Sequence, residues 1–245
     1  TIPGERGRSQ APNPLTRARI IFVPGLNPKP PAEVYRPQLL RVLHAGLERS
    51  RPRAAEWLAA NESAFVLVAW TYLFYGAHRD VTLDLPGIER LLVQTGPSEQ
   101  DLGELRSWPR RALRWAHLVG DAVPFLGRRL APPHTRRLMH EASRYLRNRD
   151  GVADEVRSVL RTTIEGAWRE GERVLLIGHS LGSVIAYDTL WELTHVQHAA
   201  GEIDLLVTLG SPLATRFVQR SRKGARGEGA ARYPHNVRHW VNLTA

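Results

Sequence analysis

The sequence predicts an α/β fold with a mostly parallel central sheet and helices on both of its faces. Short apolar runs of strand length alternate along the chain with longer segments that repeat apolar residues at helical spacing. Strands joined by helices lie parallel, because each helix carries the chain back to the same end of the sheet. The pattern Gly178-x-Ser180-x-Gly182 lies between one such run and an amphipathic helical segment, and it indicates a sharp strand-to-helix turn.

The apolar pattern places the individual elements. Strands rich in Val, Ile and Leu are predicted at 18–23, 64–70, 174–177, 204–209 and 237–243. Helices are predicted at 32–49, at 152–170 and after Gly182. The second strand ends in an aromatic stretch, residues 71–75. The side chains of Trp70, Tyr72, Phe74 and Tyr75 would suit an apolar acyl chain, or would simply form core, which is the interpretation we prefer for Trp70.

Three segments stand outside this alternation. Residues 1–17 are polar with Pro and Gly, which predicts a flexible arm ahead of one domain at 18–245. Residues 76–150 break into short helical pieces and predict a helical insertion, either a lid over a site or a structural side layer. Residues 220–235 are rich in Gly and Arg and predict an exposed loop.

The Gly-x-Ser-x-Gly pattern has a chemical reason. A serine hydroxyl attacks a carbonyl carbon only when a base can take its proton, so Ser180 must stand clear of the sheet on a tight turn. Side chains at Gly178 and Gly182 would collide with the neighbouring strand or helix, so both positions need glycine. The backbone N–H of Leu181 would then point to where an oxyanion forms, beside the positive end of the following helix dipole. The alternative is a glycine-rich turn with a surface serine.

Composition limits the classes of function. The chain of 245 residues contains no cysteine, which excludes disulfides and thiolate metal sites. It has no apolar run of membrane-spanning length and no apolar signal-peptide core near its start, so we expect a soluble, cytoplasmic protein. We expect no metal and no cofactor, because the glycines at 224, 227 and 229 lie in a charged loop without a strand-to-helix crossover.

The formal charge of +10 has two interpretations. It could serve an anionic partner, or it could reflect an arginine-rich solvated surface, and we prefer the second because no nucleic-acid motif accompanies it. A local patch could still form from Arg136 and Arg137, or from Arg216, Arg220, Arg222, Lys223 and Arg226. Binding of nucleic acid is not expected; if present, its affinity would fall steeply with salt.

Together, the alternating elements and the serine turn resemble the α/β-hydrolase fold from Ala18 onward, most weakly at 76–150. By that resemblance the stretch Phe22-Val-Pro24-Gly25-Leu26 is similar to an oxyanion loop. Leu26 would supply a second oxyanion N–H beside that of Leu181. The segment from Thr208 to Pro212 also resembles lipase-like and esterase-like members, although Pro24 replaces a side chain that often braces the loop.

The resemblance also implies an acid and a histidine after Ser180, the acid just beyond the 237–243 strand. The aspartates and histidines that could serve as triad partners within the sequence do not fit this order. Asp204 lies at the far end of its strand, and Asp188 lies about 12 Å along the helix from Ser180 at ~1.5 Å per residue. His179, His195, His198, His235 and His239 are read as core or surface histidines. We therefore expect the acid and the histidine to lie outside residues 1–245.

Two functions compete at this point. The first is a lipase-like or esterase-like serine hydrolase that cleaves a small-molecule or lipid ester, or a thioester, through Ser180, with peripheral membrane contact left open. The second is a non-catalytic hydrolase-fold module that binds a partner through its basic surface. Nothing in the sequence indicates the acyl group, the leaving group or the oligomeric state.

Overall fold

At the centre of the fold lies a five-stranded parallel sheet in the order β2-β1-β3-β4-β5. The computed structural model describes residues 17–94, 96, 103 and 133–243. The strands are β1 (Ala18–Val23), β2 (Phe65–Leu67), β3 (Arg173–His179), β4 (Leu205–Leu209) and β5 (Trp240–Leu243). Apart from Arg17, the predicted arm lies outside the described residues, as does the middle of the 76–150 insertion.

Helices connect the strands. Those in the described ranges are α1 (Ala32–Ser50), α2 (Pro52–Ala60), α3 (Thr71–Tyr75), α4 (Leu85–Val93), α5 (Pro133–Leu146), α6 (Val152–Arg169), α7 (Leu181–His195) and α8 (Arg216–Ser221). Short 3₁₀ turns lie at Glu62–Ala64, Val81–Leu83, Arg149–Gly151, Pro212–Ala214 and Gly229–Arg232. The predicted helices at 32–49 and 152–170 are therefore confirmed to within a residue.

The sheet buries apolar side chains on both faces. Ile21 and Val23 of β1 point into the larger core, which α6 and α7 cover. Ile20 and Phe22 point the opposite way, into a smaller cluster with residues of α1 and α2. Successive side chains of a strand alternate between faces, so one strand supplies both cores. The predicted α/β class, with helices on both faces, is confirmed.

Helix α7 differs from the amphipathic helix expected after the serine turn. Every residue from Leu181 to Leu190 is buried, including Ser183, Asp188 and Thr189. The reason is that α7 packs between the sheet, α6 and the segment that follows β4. A helix covered on all sides shows no polar stripe to solvent, so its polar side chains must find partners inside the protein.

The second and last predicted strands are both shorter than expected. Strand β2 ends at Leu67, and the aromatic stretch that follows is helix α3. Trp70 is fully buried ahead of this helix, where its ring packs edge-on against Phe74 at 5.6 Å between centroids. At the other edge of the sheet, β5 begins only at Trp240, after a single bridge between Ile203 and Val237. All four residues of β5 are exposed.

The segment 220–235 is exposed at most of its residues, as its composition predicts, but it is not a loop throughout. It contains the end of α8 and a 3₁₀ turn, and Arg222 is only 6% exposed. The Arg222 guanidinium lies 4.3 Å from the ring centre of Tyr187 and donates hydrogen bonds to Tyr187 Oη and the Arg232 carbonyl. Lys223 pairs with Glu192 at 2.8 Å. Arg222 is therefore unavailable to the predicted basic patch.

Candidate active site

Ser180 occupies the turn between β3 and α7. Its backbone has φ 52° and ψ −122°, a region that non-glycine residues rarely adopt. The Ser180 N–H donates to the Leu209 carbonyl of β4 at 2.9 Å, and the Ser180 carbonyl accepts from the Ser183 N–H at 3.0 Å. Hydrogen bonds on both sides of the residue thus hold the strained turn in place.

The two glycines of the pattern lie where no side chain fits. A Cβ on Gly178 would lie 2.7 Å from Cα of Ser183, and a Cβ on Gly182 would lie 2.2 Å from the Val23 carbonyl oxygen. Both contacts are shorter than any van der Waals separation, and both involve backbone atoms that cannot rotate away. Strand β3, helix α7 and the end of β1 are therefore packed backbone against backbone around Ser180.

Three polar segments meet at the carboxyl ends of the strands. Ser180 follows β3, the loop of residues 24–27 follows β1, and Ser211 follows β4. The buried Ser183 hydroxyl donates to the Ser180 carbonyl at 2.6 Å and lies 2.7 Å from the Ser211 hydroxyl oxygen. The carboxyl edge of a parallel sheet is where ligands bind in this class of fold.

The 24–27 loop lies directly against Ser180. A Cβ on Gly25 would come within 2.9 Å of Cβ of Ser180. Leu26 is half-buried against the larger core, and its backbone N–H forms no hydrogen bond with a described residue. Leu181 is the first residue of α7, so its N–H has no partner within the helix. Both predicted oxyanion donors thus flank Ser180.

A lysine contacts the 24–27 loop. Lys29 is half-buried, and its ammonium donates to the Leu26 carbonyl at 3.0 Å. Burial lowers the pKa of Lys29; the Asp84 carboxylate opposes this shift and Arg79 adds to it. The Nδ1 edge of His179 faces Gly25, and its partial desolvation, followed by the charge of Lys29, lowers the pKa of His179. The positive charge of Lys29 next to the 24–27 loop would favour a developing negative charge there.

The Ser180 hydroxyl forms no hydrogen bond with any residue that the structure describes. Asp188 lies along α7 and is engaged elsewhere, accepting from the Lys223 N–H at 2.8 Å and from Tyr145 Oη at 3.2 Å. Asp204 forms an ion pair with Arg173 at the amino ends of the strands, away from Ser180. His195 and His235 contact the backbone carbonyls of Tyr233 and Ala230. None of these four residues contacts Ser180, as expected.

A family model for a PGAP1-like alpha/beta domain matches residues 134–226. That family is part of the α/β-hydrolase superfamily, and the matched segment contains β3, the Ser180 turn, α7 and β4. The chain has an α/β-hydrolase fold. The match covers less than half of the chain. No curated protein and no solved structure matches it.

The structure also gives three residues hydrogen-bond partners near the serine turn that the sequence did not predict. Trp70 and Tyr75 bind the 24–27 loop, and Ser211 binds Ser183 beneath the serine turn. The sequence singled out Trp70 and Tyr75 as aromatic residues and Ser211 as part of a lipase-like stretch, but no local pattern indicates which groups they bind. Within the described ranges, no helix is long and apolar enough to span a bilayer, and no cluster of His, Asp or Glu could hold a metal ion.

Proposed function

We propose that this protein is a serine hydrolase that cleaves carboxylic esters or thioesters through an acyl-enzyme on Ser180. The observation that carries the proposal is the strained Ser180 turn at the carboxyl edge of the sheet. A φ of 52° at a serine is unfavourable, and strain of this kind persists at sites where a side chain must be presented to a ligand. A surface serine in an ordinary turn would need neither the strain nor the two closely packed glycines.

The proposed reaction has two steps. Ser180 Oγ attacks the acyl carbon as a base takes the hydroxyl proton, and the carbonyl oxygen becomes an oxyanion that the Leu26 and Leu181 N–H groups stabilise. The carbon–oxygen or carbon–sulfur bond breaks, and the leaving alcohol or thiol receives the proton. Water then cleaves the acyl-enzyme and regenerates the serine. The resemblance implies that a histidine is this base and that an acidic residue orients it.

Apolar side chains of the 24–27 loop and of helix α3 support an acyl substrate with an apolar part. Leu26 and Tyr75 border the larger core, and Tyr72 and Leu73 of α3 are 50% and 44% exposed. Apolar surface of this kind suits a small-molecule or lipid ester, and peripheral contact with a membrane surface is compatible with it. Nucleic acid is not proposed as a partner.

Labelling with a fluorophosphonate probe tests the proposal. We expect a folded form of the protein that contains the histidine and the acid to be labelled, Ser180→Ala in that form to remain unlabelled, and a variant at the exposed Ser50 to be labelled like the wild type. Ser180-dependent labelling of the 245-residue chain itself would show that the base lies within these residues, against the expectation from the sequence. Each variant should show the wild-type circular dichroism spectrum, so that loss of labelling reports the hydroxyl alone. Labelling that survives in Ser180→Ala would refute the assignment of the nucleophile.

A second function, a non-catalytic hydrolase-fold binding module, is favoured by one observation. The Ser180 hydroxyl has no base among the residues described. This alternative predicts that a folded sample resists the probe at all pH values. Labelling that depends on Ser180 would exclude it.

A further inference from the structure

The 24–27 loop is held from outside by three side chains. Trp70 donates from Nε1 to the Pro24 carbonyl at 2.8 Å, in a buried position. Lys29 donates to the Leu26 carbonyl at 3.0 Å. Tyr75 Oη accepts from the Asn27 N–H at 3.0 Å. The loop therefore relies on side chains from α3 and its own continuation, in place of the brace that Pro24 lacks.

These bonds act on particular peptide groups. The peptide between Leu26 and Asn27 is bound at both ends, its carbonyl by Lys29 and its N–H by Tyr75. The carbonyl of Pro24 is bound on the other side. The peptide between Gly25 and Leu26, which carries the predicted oxyanion N–H, thus lies between two peptides whose orientation is set.

The tyrosine is itself oriented. Its hydroxyl donates to Oε2 of Glu141 at 2.7 Å, and Glu141 is a buried residue of α5. The Tyr75 hydroxyl thus donates its proton to Glu141 and accepts from the Asn27 N–H through its oxygen. Asn27 has φ 75°, a left-handed conformation that asparagine adopts more readily than most residues, and the hydrogen bond to Tyr75 adds to what holds it there.

We propose that Tyr75, oriented by Glu141, is a positioning residue for the oxyanion hole: by holding the Leu26–Asn27 peptide, it fixes the direction of the Leu26 N–H before substrate binds. This inference rests on the proposed hydrolase function. A donor must point to where the oxyanion forms, and preset donors stabilise the transition state more than the ground state. Loss of the hydrogen bond between Tyr75 and the Asn27 N–H should therefore lower kcat and leave KM nearly unchanged.

The test uses Tyr75→Phe, which removes one oxygen, with Tyr233→Phe as the matched control. Tyr233 is half exposed, and the Arg222 guanidinium lies 5.5 Å from its ring centre, a contact that phenylalanine keeps. Removing a whole oxyanion donor costs about 10²–10³-fold in rate. A donor that is present but no longer held in direction should cost less, and we expect the fluorophosphonate labelling rate of Tyr75→Phe to fall about 10-fold, with no change in Tyr233→Phe.

A conservative pair of variants at Glu141 adds a second readout. Glu141→Gln keeps an oxygen that can accept from the tyrosine, and it should retain most of the labelling rate. Glu141→Ala removes the acceptor, and its labelling rate should fall as much as that of Tyr75→Phe. Equal rates in the two Glu141 variants would contradict the orienting role.

Amide hydrogen exchange at Asn27, measured by NMR, separates the outcomes. We expect exchange at Asn27 to accelerate in Tyr75→Phe and to stay unchanged in Tyr233→Phe. Unchanged exchange in Tyr75→Phe would overturn the hold itself, even if the wild type were unreactive. Faster exchange with an unchanged labelling rate would show a purely structural contact. A wild type that contains the histidine and the acid and still does not label would instead refute the proposed function, and the exchange data would still decide whether Tyr75 holds the loop.

Discussion

Replacing Gly182 with alanine tests how closely α7 approaches β1. The new Cβ would lie 2.2 Å from the Val23 carbonyl oxygen and 2.6 Å from the Pro24 carbonyl oxygen. Non-bonded carbon and oxygen need more than about 3 Å, so either α7 or the end of β1 must move by close to 1 Å. Both oxygens belong to the backbone, so no side-chain rotation can relieve the contact.

The magnitude follows from two opposing effects. Overpacking of a dense core costs typically about 1–3 kcal/mol, and more where backbone must shift. Alanine in place of glycine inside a helix contributes about 1 kcal/mol in the other direction. The clash outweighs the gain in helix propensity, and we expect Gly182→Ala to lower the free energy of unfolding by about 1–3 kcal/mol.

A matched control is available in α6. A Cβ on Gly166 would meet only Nη2 of Arg169, at 3.8 Å, which is ordinary contact. Gly166→Ala should therefore raise the free energy of unfolding by about 0.5–1 kcal/mol through helix propensity alone. Urea unfolding of both variants, with fitted slopes compared to the wild type, measures the difference. If Gly182→Ala were as stable as Gly166→Ala, the close packing at the serine turn would be wrong.

Three further predictions concern groups buried around the site. Burial raises the pKa of Asp188 to about 6 from 3.8, so the folded protein binds this proton more tightly than the unfolded chain. The free energy of unfolding of the wild type relative to Asp188→Asn should therefore fall by up to about 3 kcal/mol as the pH rises from about 4 to about 7. A difference that does not depend on pH would contradict the raised pKa. Trp70→Phe removes the buried bond to the Pro24 carbonyl and should lower the free energy of unfolding by about 1–3 kcal/mol, whereas an unchanged urea midpoint would show that the bond is unimportant. Arg222→Ala should lower the free energy of unfolding by about 2–3 kcal/mol, because the Arg222 guanidinium is buried against the Tyr187 ring. Replacement of the exposed Arg220 by alanine should change it by less than about 0.5 kcal/mol. Equal losses of the two variants in thermal unfolding would refute the buried role of Arg222.

The class of the fold and the serine turn follow from local chemistry in the sequence. Runs of branched apolar residues favour buried strands, and the spacing of glycines around Ser180 is readable because only glycine permits the close approach. The parallel order of the strands follows in turn from the helices between them. These features need no knowledge of distant partners.

The ends of the strands and helices, and the burial of single residues, were less predictable where residues distant in the chain decide them. The aromatic run at 71–75 has strand propensity, yet it forms α3 because Trp70 and Phe74 bury their rings in the core and the Trp70 indole binds Pro24. Arg222 lies in a charged, glycine-rich segment, and only the fold brings the Tyr187 ring beneath it. Propensity describes a residue's own neighbours in the chain, whereas burial depends on what packs against it.

The sequence by itself determined the α/β class, the strand-to-helix turn at Ser180 and the need for glycine on either side of it. Only the tertiary structure decided which side chains hold the 24–27 loop, because Trp70, Tyr75 and Glu141 reach it from separate elements. A pattern can specify a local backbone conformation, which depends on a few consecutive residues. A hydrogen bond between residues 48 positions apart, such as that from Asn27 to Tyr75, exists only once the chain has folded.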